Sequence, residues 1–207
     1  MPAPHGYDRQ VFLNCPFDDA YQPIFRGLVF AVYDAGLMPR CALEVSDSSQ
    51  VRIDKIMALI AACRFGIHDL SRAELDAATH LPRFNMPLEL GIFLGCKRFG
   101  TGHHRRKPCL VLYTEPYRYR QFMSDIAGQD PLPHRDDSET AVRRVRDWLR
   151  SETRRANIPG ADAVVRRFRA FQGELPAICG QFRYQPQQLT FADLTHVVLE
   201  WLKKNPL

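Results

Sequence analysis

Apolar positions in the first half of the chain alternate between short runs and helical repeats. Val11-Phe12-Leu13 is a strand-like run that ends at Asn14-Cys15-Pro16-Phe17. From about Gln22 to Ala35 the spacing of Ile24, Phe25, Leu28, Val29 and Val32 predicts a helix, with Gly36 placed to close it. Pro39–Leu43 reads as a second strand, and Val51–Cys63 as a helix with Ile53, Ile56, Met57 and Ile60 on one face. Phe65–His68 is a third strand, with Asp69 at its carboxyl end. A polar loop over 70–84 follows. Asn85 is placed to cap a helix that runs to about Cys96, with Pro87 tolerated in its first turn. Gly100–Lys107 is a basic turn, and Pro108–Tyr113 is a fourth strand, apolar throughout as buried parallel strands are.

This alternation predicts an α/β fold with a parallel sheet of about four to five strands, flavodoxin-like or Rossmann-like, with helices on both faces. Beyond Tyr113 the repeats are mainly helical, over about 117–126, 138–156, 162–179 and 190–204. Thr190 and Asp193 form a capping pair at the start of the last helix. The expected organisation is an α/β domain over 8–114 and a helical extension over 115–207.

Composition narrows the class. With 207 residues and 45% hydrophobic residues the chain can bury a core without staples, and no apolar run is long enough for a membrane span. MPAPHGYDRQ contains no apolar signal core, so a cytoplasmic location is expected. The six cysteines form no C-x-x-C pair and read as buried, reduced side chains. His103-His104 reads as a solvated loop, so no metal is expected. The net charge of +5 is uneven: residues 1–95 carry net −3 and residues 96–207 carry net +8, with 23 Arg against 5 Lys overall.

Ligands of open parallel sheets bind outside the carboxyl ends of the strands. That rule nominates Asn14, Cys15, Pro16, Phe17, Asp18 and Asp19 after the first strand, and Asp69 with Ser71 and Arg72 after the third. It also nominates the start of the next helix, Asn85 and Met86 with Glu89. Glu89 is the one charge in the apolar run MPLELGIFLG. A carboxylate buried there needs a cation, a cavity or a proton. Arg64 and Arg72 are the structural partners to expect, and catalysis is the alternative. Gly91 and Gly95 would allow close packing of the helix on the sheet. No G-x-G-x-x-G, P-loop or G-x-S-x-G motif is present, which argues against a dinucleotide-binding Rossmann site, a P-loop enzyme and an α/β hydrolase.

Three segments in order resemble the nucleoside 2-deoxyribosyltransferase-like superfamily, to which TIR-like bacterial defence domains are related in architecture. They are Val11-Phe12-Leu13-Asn14-Cys15-Pro16-Phe17, then Cys63-Arg64-Phe65-Gly66-Ile67-His68-Asp69-Leu70, then Asn85 to Ile92 followed by Lys107-Pro108-Cys109-Leu110. The resemblance covers about residues 10–114. It implies that Glu89 attacks the anomeric carbon of a nucleoside to give a glycosyl ester, resolved by water or an acceptor base. It also places Asp69 near the sugar or the leaving base as an acid. No dissociable cofactor is implied. The chain departs from the family pattern at Phe12, where the family has a tyrosine that orients the nucleophile, at Cys15 in place of glycine, and at Arg83-Phe84-Asn85-Met86 in place of a small lead-in. These departures point away from a plain deoxynucleoside. Arg72, Arg83 and Asn85 suit the oxygens of a nucleotide, with NAD-like dinucleotides included. Pairing of the two arginines with Glu74 or Asp76 is the structural alternative.

Residues 138–169 hold nine arginines and four acids. Such a face can bind phosphate, but no nucleic-acid-binding signature accompanies it, so the expectation is pairing with the acidic N-terminal half, within the chain or between copies, with docking of a partner protein or a second copy as the alternative. Tyr117–Asp130 follows the fourth strand and reads as a surface loop; folding over the pocket is the alternative, with Ser124, Asp125, Gln129, Asp130 and His134 as the lid candidates. Two functions therefore follow: an N-glycosidase or glycosyltransferase of a nucleoside or nucleotide, in keeping with a bacterial defence effector, or a nucleotide-sensing module that does not turn over its ligand.

Overall fold

The computed structural model describes residues 3–44, 49–72, 83–116 and 130–207. Five parallel strands form one sheet: β1 (Gln10–Asn14), β2 (Met38–Cys41), β3 (Phe65–Asp69), β4 (Cys109–Tyr113) and β5 (Leu132–Pro133), in the order β2-β1-β3-β4-β5. The helices are α1 (Gln22–Asp34), α2 (Arg52–Ala62), α3 (Asn85–Phe99), α4 (Ser138–Thr153), α5 (Ala161–Phe182) and α6 (Phe191–Lys204). This is the doubly wound, flavodoxin-like order expected from the alternating pattern. The chain reverses its direction of travel across the sheet between β1 and β3, which opens a crevice at their carboxyl ends.

Strand pleating assigns each side chain to a face. Val11, Leu13, Phe65, Ile67, Leu110 and Leu112 point into the large core shared with α1, α4, α5 and α6. Phe12 packs on the opposite face with Ile56, Leu59 and Ile60 of α2 and Phe93 of α3, and Val111 packs there with Met86 and Leu90. Gly66 is required on this face. A Cβ there would lie 2.7 Å from both Phe93 and His68. At Gly91 and Gly95, by contrast, an added Cβ would meet nothing within 4 Å, so close helix–sheet packing falls to Gly66 and not to them.

The segment after residue 114 continues the same sheet and core. β5 extends the sheet beside β4, and Val142, Val145 and Leu149 of α4 join the core under α1. Phe30 of α1 stacks on Phe171 of α5 at 5.3 Å and lies 5.6 Å from Trp201 of α6. Residues 117–126, read as helical from their pattern, lie outside the described residues, as do Ser124, Asp125 and Gln129.

Helix ends follow local chemistry. Gly36, at φ 71°, closes α1 with its N–H on the Tyr33 carbonyl at 2.8 Å. Thr190 and Asp193 form the reciprocal capping box of α6. Asn85 is the first residue of α3 and not its cap; Phe84 occupies the cap position without a side-chain bond. Lys107 is buried and donates from Nζ to the carbonyls of Ile60 (2.7 Å) and Cys63, which closes α2. Burial lowers its pKa to about 8.

Many arginines of the second half end helices or join elements. Arg155 donates to the carbonyls of Ala35 (3.3 Å) and Gly36 (3.1 Å), and Arg146 to those of Pro159 (2.5 Å) and Ile158 (3.3 Å). Arg167 pairs with the buried Asp34 at 2.9 Å, Arg143 with Asp162 at 2.7 Å, and Arg169 with Glu139. The planar guanidinium suits this use, because it can meet two acceptors at once.

Candidate active site

At the β1/β3 crevice a cavity of about 350 Å³ opens between the β1 end and the start of α3. Asn14, Cys15, Pro16 and Phe17 form one wall, and Asn85, Met86 and Glu89 the other. Asp18, Arg52 and Arg83 complete it. A second recess of about 210 Å³ adjoins it and shares Arg52, Asn85 and Glu89, but adds the apolar side chains of Ile53, Ile56 and Leu88. Glu89 thus stands where a chamber of mixed polarity meets a more apolar one.

Glu89 is 6% exposed and has no hydrogen bond or ion pair among the described residues. Neither expected structural partner reaches it. Arg64 pairs with Asp8 at 2.9 Å, and Arg72 turns to Asp18 at 3.8 Å. Burial raises the Glu89 carboxyl to about 7, against a smaller opposing pull from Arg52. It therefore changes protonation state around neutrality, the range that suits a group doing acid–base or nucleophilic work.

Asn14 is held rigidly beside it. Its Nδ2 donates to the Met86 carbonyl at 2.8 Å and lies 3.0 Å from His68 Nδ1. With both amide protons used inward, Oδ1 is left to accept from a ligand. His68 is fully buried between Phe12 and Phe93, and burial followed by the charge of Lys107 drops its pKa to about 3. It stays a neutral acceptor for Asn14 throughout the working pH range.

Asp69 does not line this cavity. It shares the sheet face of Phe65 and Ile67, so its carboxylate goes to the α1 and β5 side. There it accepts from Tyr21 Oη (2.5 Å), the Ser71 N–H (2.9 Å) and Ser71 Oγ, and His134 Nε2 lies 3.0 Å away. Burial alone would raise its pKa, but the bonds from His134, Ser71 and Tyr21 outweigh it and hold the carboxyl below the usual range. The Asp136 N–H donates to His134 Nδ1 at 3.1 Å, so the imidazole proton lies on Nε2. That nitrogen has no lone pair with which to take the proton of Ser71, 2.8 Å away. The Ser71, His134 and Asp69 cluster is therefore a buried clasp between β3 and β5, not a nucleophile with its base.

Of the remaining sequence-nominated residues, Asp19 is exposed in a 3₁₀ turn (Asp19–Tyr21) outside the cavity lining. Arg72 and Arg83 both approach Asp18, at 3.8 and 3.7 Å, and Glu74 and Asp76 lie outside the described residues. Phe12 is buried in the α2/α3 core. Sequence reasoning missed Arg52, Tyr21 and the clasp role of His134. Tyr21 carries no local signal, because its partner lies 48 residues away. Arg52 carries no local signal either, because the cavity it lines is completed by residues of β1 and α3.

Comparison of the chain with models of protein families, with characterised proteins and with solved structures finds no match. Among the described residues no helix is long and apolar enough to cross a membrane, and no group of three or more His, Cys, Asp or Glu side chains is placed to hold a metal ion.

Proposed function

We propose that the chain cleaves the N-glycosidic bond of a nucleotide, with Glu89 as the nucleophile. The observation that carries this reading is the Glu89 carboxylate, without a partner among the described residues, at the junction of a chamber of mixed polarity and a more apolar one. A nucleotide has that same division, a ribose phosphate joined to a flat apolar base at the anomeric carbon. Arg52 and Arg83 suit phosphate oxygens, Asn14 suits a sugar hydroxyl, and the recess of Ile53, Ile56 and Leu88 suits the base.

In this scheme Glu89 forms a bond to the anomeric carbon as the carbon–nitrogen bond breaks, and the electron pair leaves with the base. Water then hydrolyses the glycosyl ester and returns the carboxylate. The other carboxylate lining the chamber, Asp18, is engaged by Arg72 and Arg83, and Asp69 faces the far side of the sheet. A leaving group that needs no proton, such as the cationic pyridinium of an NAD-like dinucleotide, fits that arrangement best.

The second reading is a nucleotide sensor without turnover. It is favoured by Phe12, which offers Glu89 no hydroxyl, and by the placement of Asp69. Wild type and Glu89→Gln are incubated with nucleosides, nucleotides and NAD, and released base is measured by mass spectrometry. Release by wild type, reduced on the order of 10³-fold or more in Glu89→Gln, supports the enzyme. Equal release from both removes Glu89 from the mechanism. Bound but uncleaved ligand supports the sensor.

A further inference from the structure

The two sides of the sheet are covered unequally. α1 shares one large core with α4, α5 and α6, whereas α2 and α3 form the opposite layer by themselves among the described residues. Of the nine large apolar side chains that stand exposed among the described residues, five belong to this thinner layer and none to α1, α4 or α5. Phe84 (67% exposed) stands at the cap of α3, with Leu88 (55%) and Phe99 (84%) on the helix itself. Val51 (63%) stands at the cap of α2, with Met57 (44%) on that helix. Phe84, Leu88, Gly91, Gly95 and Phe99 recur at i, i+4, i+7, i+11 and i+15, which keeps all five on one side of α3. Between the large residues the two glycines leave a notch, because an added Cβ at either meets nothing within 4 Å. A helix apolar around its whole circumference is one covered on every side. In MPLELGIFLG the chain itself covers only the sides toward the sheet and α2.

We infer that this face pairs with the same face of a second copy of the chain across a two-fold axis, the two α3 helices crossing antiparallel at the Gly91/Gly95 notch. The area fits a homodimer. A stable interface covers about 800 Å² of each partner, about two-thirds of it apolar in homodimers, or about 500 Å². Phe84 and Phe99, at about 150–250 Å² for a whole ring, together with the three smaller side chains, expose on the order of 500 Å². The shape fits as well. A two-fold contact requires a patch to complement itself. The notch lies midway between Leu88 and Phe99, so a two-fold through it sets glycine beside glycine and brings Leu88 to the partner's Phe99. Helix axes approach most closely where side chains are smallest. Asp54 and Arg83 stand near the helix starts and Arg98 near the end of α3, which gives the apolar centre a charged rim.

The test is sedimentation equilibrium of the full chain, without substrate, from about 1 to about 100 μM. Wild type should be a dimer with a Kd of about 10 μM or tighter. Gly95→Arg fills the notch with a charged side chain, and Phe99→Glu places a charge at its edge; each should weaken association at least about tenfold. Leu199→Glu, at an exposed position of α6, should leave it unchanged. Gly95 has open space for a side chain and the other two positions are exposed, so circular dichroism of all three should match wild type. Raising salt from about 0.1 to about 0.5 M should leave the dimer intact, because the contact is apolar. A monomer throughout the range, an equal loss in Leu199→Glu, or a dimer retained in both Gly95→Arg and Phe99→Glu would each overturn the inference. So would a dimer that dissolves in salt, which would move the contact to the arginines of α4 and α5. Association is read without substrate, so its outcome is separate from that of the Glu89 experiment.

Discussion

Asp69 and Glu89 are both buried carboxylates near the carboxyl ends of β1 and β3, yet the structure treats them in opposite ways. On the α1 side of the sheet Asp69 collects bonds from Tyr21, Ser71 and His134, and its charge is stabilised. On the α2/α3 side Glu89 has no partner among the described residues and opens onto two chambers. A satisfied buried charge belongs to the scaffold, whereas an unsatisfied one costs stability unless something outside the chain meets it. The difference arises from the pleat. Asn14 and His68 point to the α3 face, and Asp69, one residue on from His68, points to the other.

The contrast breaks most severely at Asp69. Asp69→Ala leaves the donors of Tyr21, Ser71 and His134 without an acceptor, and should cost about 3–5 kcal/mol in urea unfolding at pH 7. A loss under about 1 kcal/mol would mean the clasp is not structural. The folded-state pKa of Asp69 is lowered, so its contribution is present above the unfolded carboxylate range and is lost as pH falls through the folded value, in the acid region below about 4.

Glu89 should behave inversely. Its pKa is raised from 4.5 to about 7, so the wild type loses stability as pH rises through that window. Glu89→Gln should therefore match wild type near pH 4 and exceed it by about 3 kcal/mol at pH 8. Parallel stability curves from pH 4 to 8 would show that the carboxyl is solvated and not poised. In the enzyme reading the same ionisation makes the rate of base release rise with pH through about 7, and a flat profile would count against attack by Glu89.

Smaller changes sharpen the comparison. Tyr21→Phe removes one bond to a charged acceptor and should lower stability by about 2 kcal/mol while leaving ligand affinity of the Glu89 cavity unchanged. Gly66→Ala brings a methyl against Phe93 and His68, and should cost at least about 1 kcal/mol. Because Phe93 lies one turn beyond Glu89 on α3, this substitution should also shift ligand affinity. Calorimetry of the two variants with the same nucleotide separates the two faces of the sheet.

The alternation of elements was readable because each short apolar run and each helical repeat reports burial locally. β1 through β4, α1 through α6 and the Thr190 capping box follow from spacing and end chemistry within a few residues. Glu89 stood out for a similar reason, as a lone charge in an apolar helix. Arg52 and Tyr21 were not legible, because their roles depend on residues distant in sequence. β5 was not legible either: two residues, Leu132–Pro133, carry no periodicity, and pairing with β4 alone makes them a strand. Arginine enrichment in 138–169 was visible, but its use in joining helices to carbonyls and acids was not.

Local patterning thus suffices for the kind of fold, the order of its elements and the one carboxylate that lacks a local reason to be buried. Which carboxylate faces a cavity and which is locked away was decided by strand parity within the assembled sheet. Which arginines serve the fold was decided by where they find acids and helix ends once the helices pack. Both depend on pairings across dozens of residues, and a charge in a sequence carries no record of which neighbour will answer it.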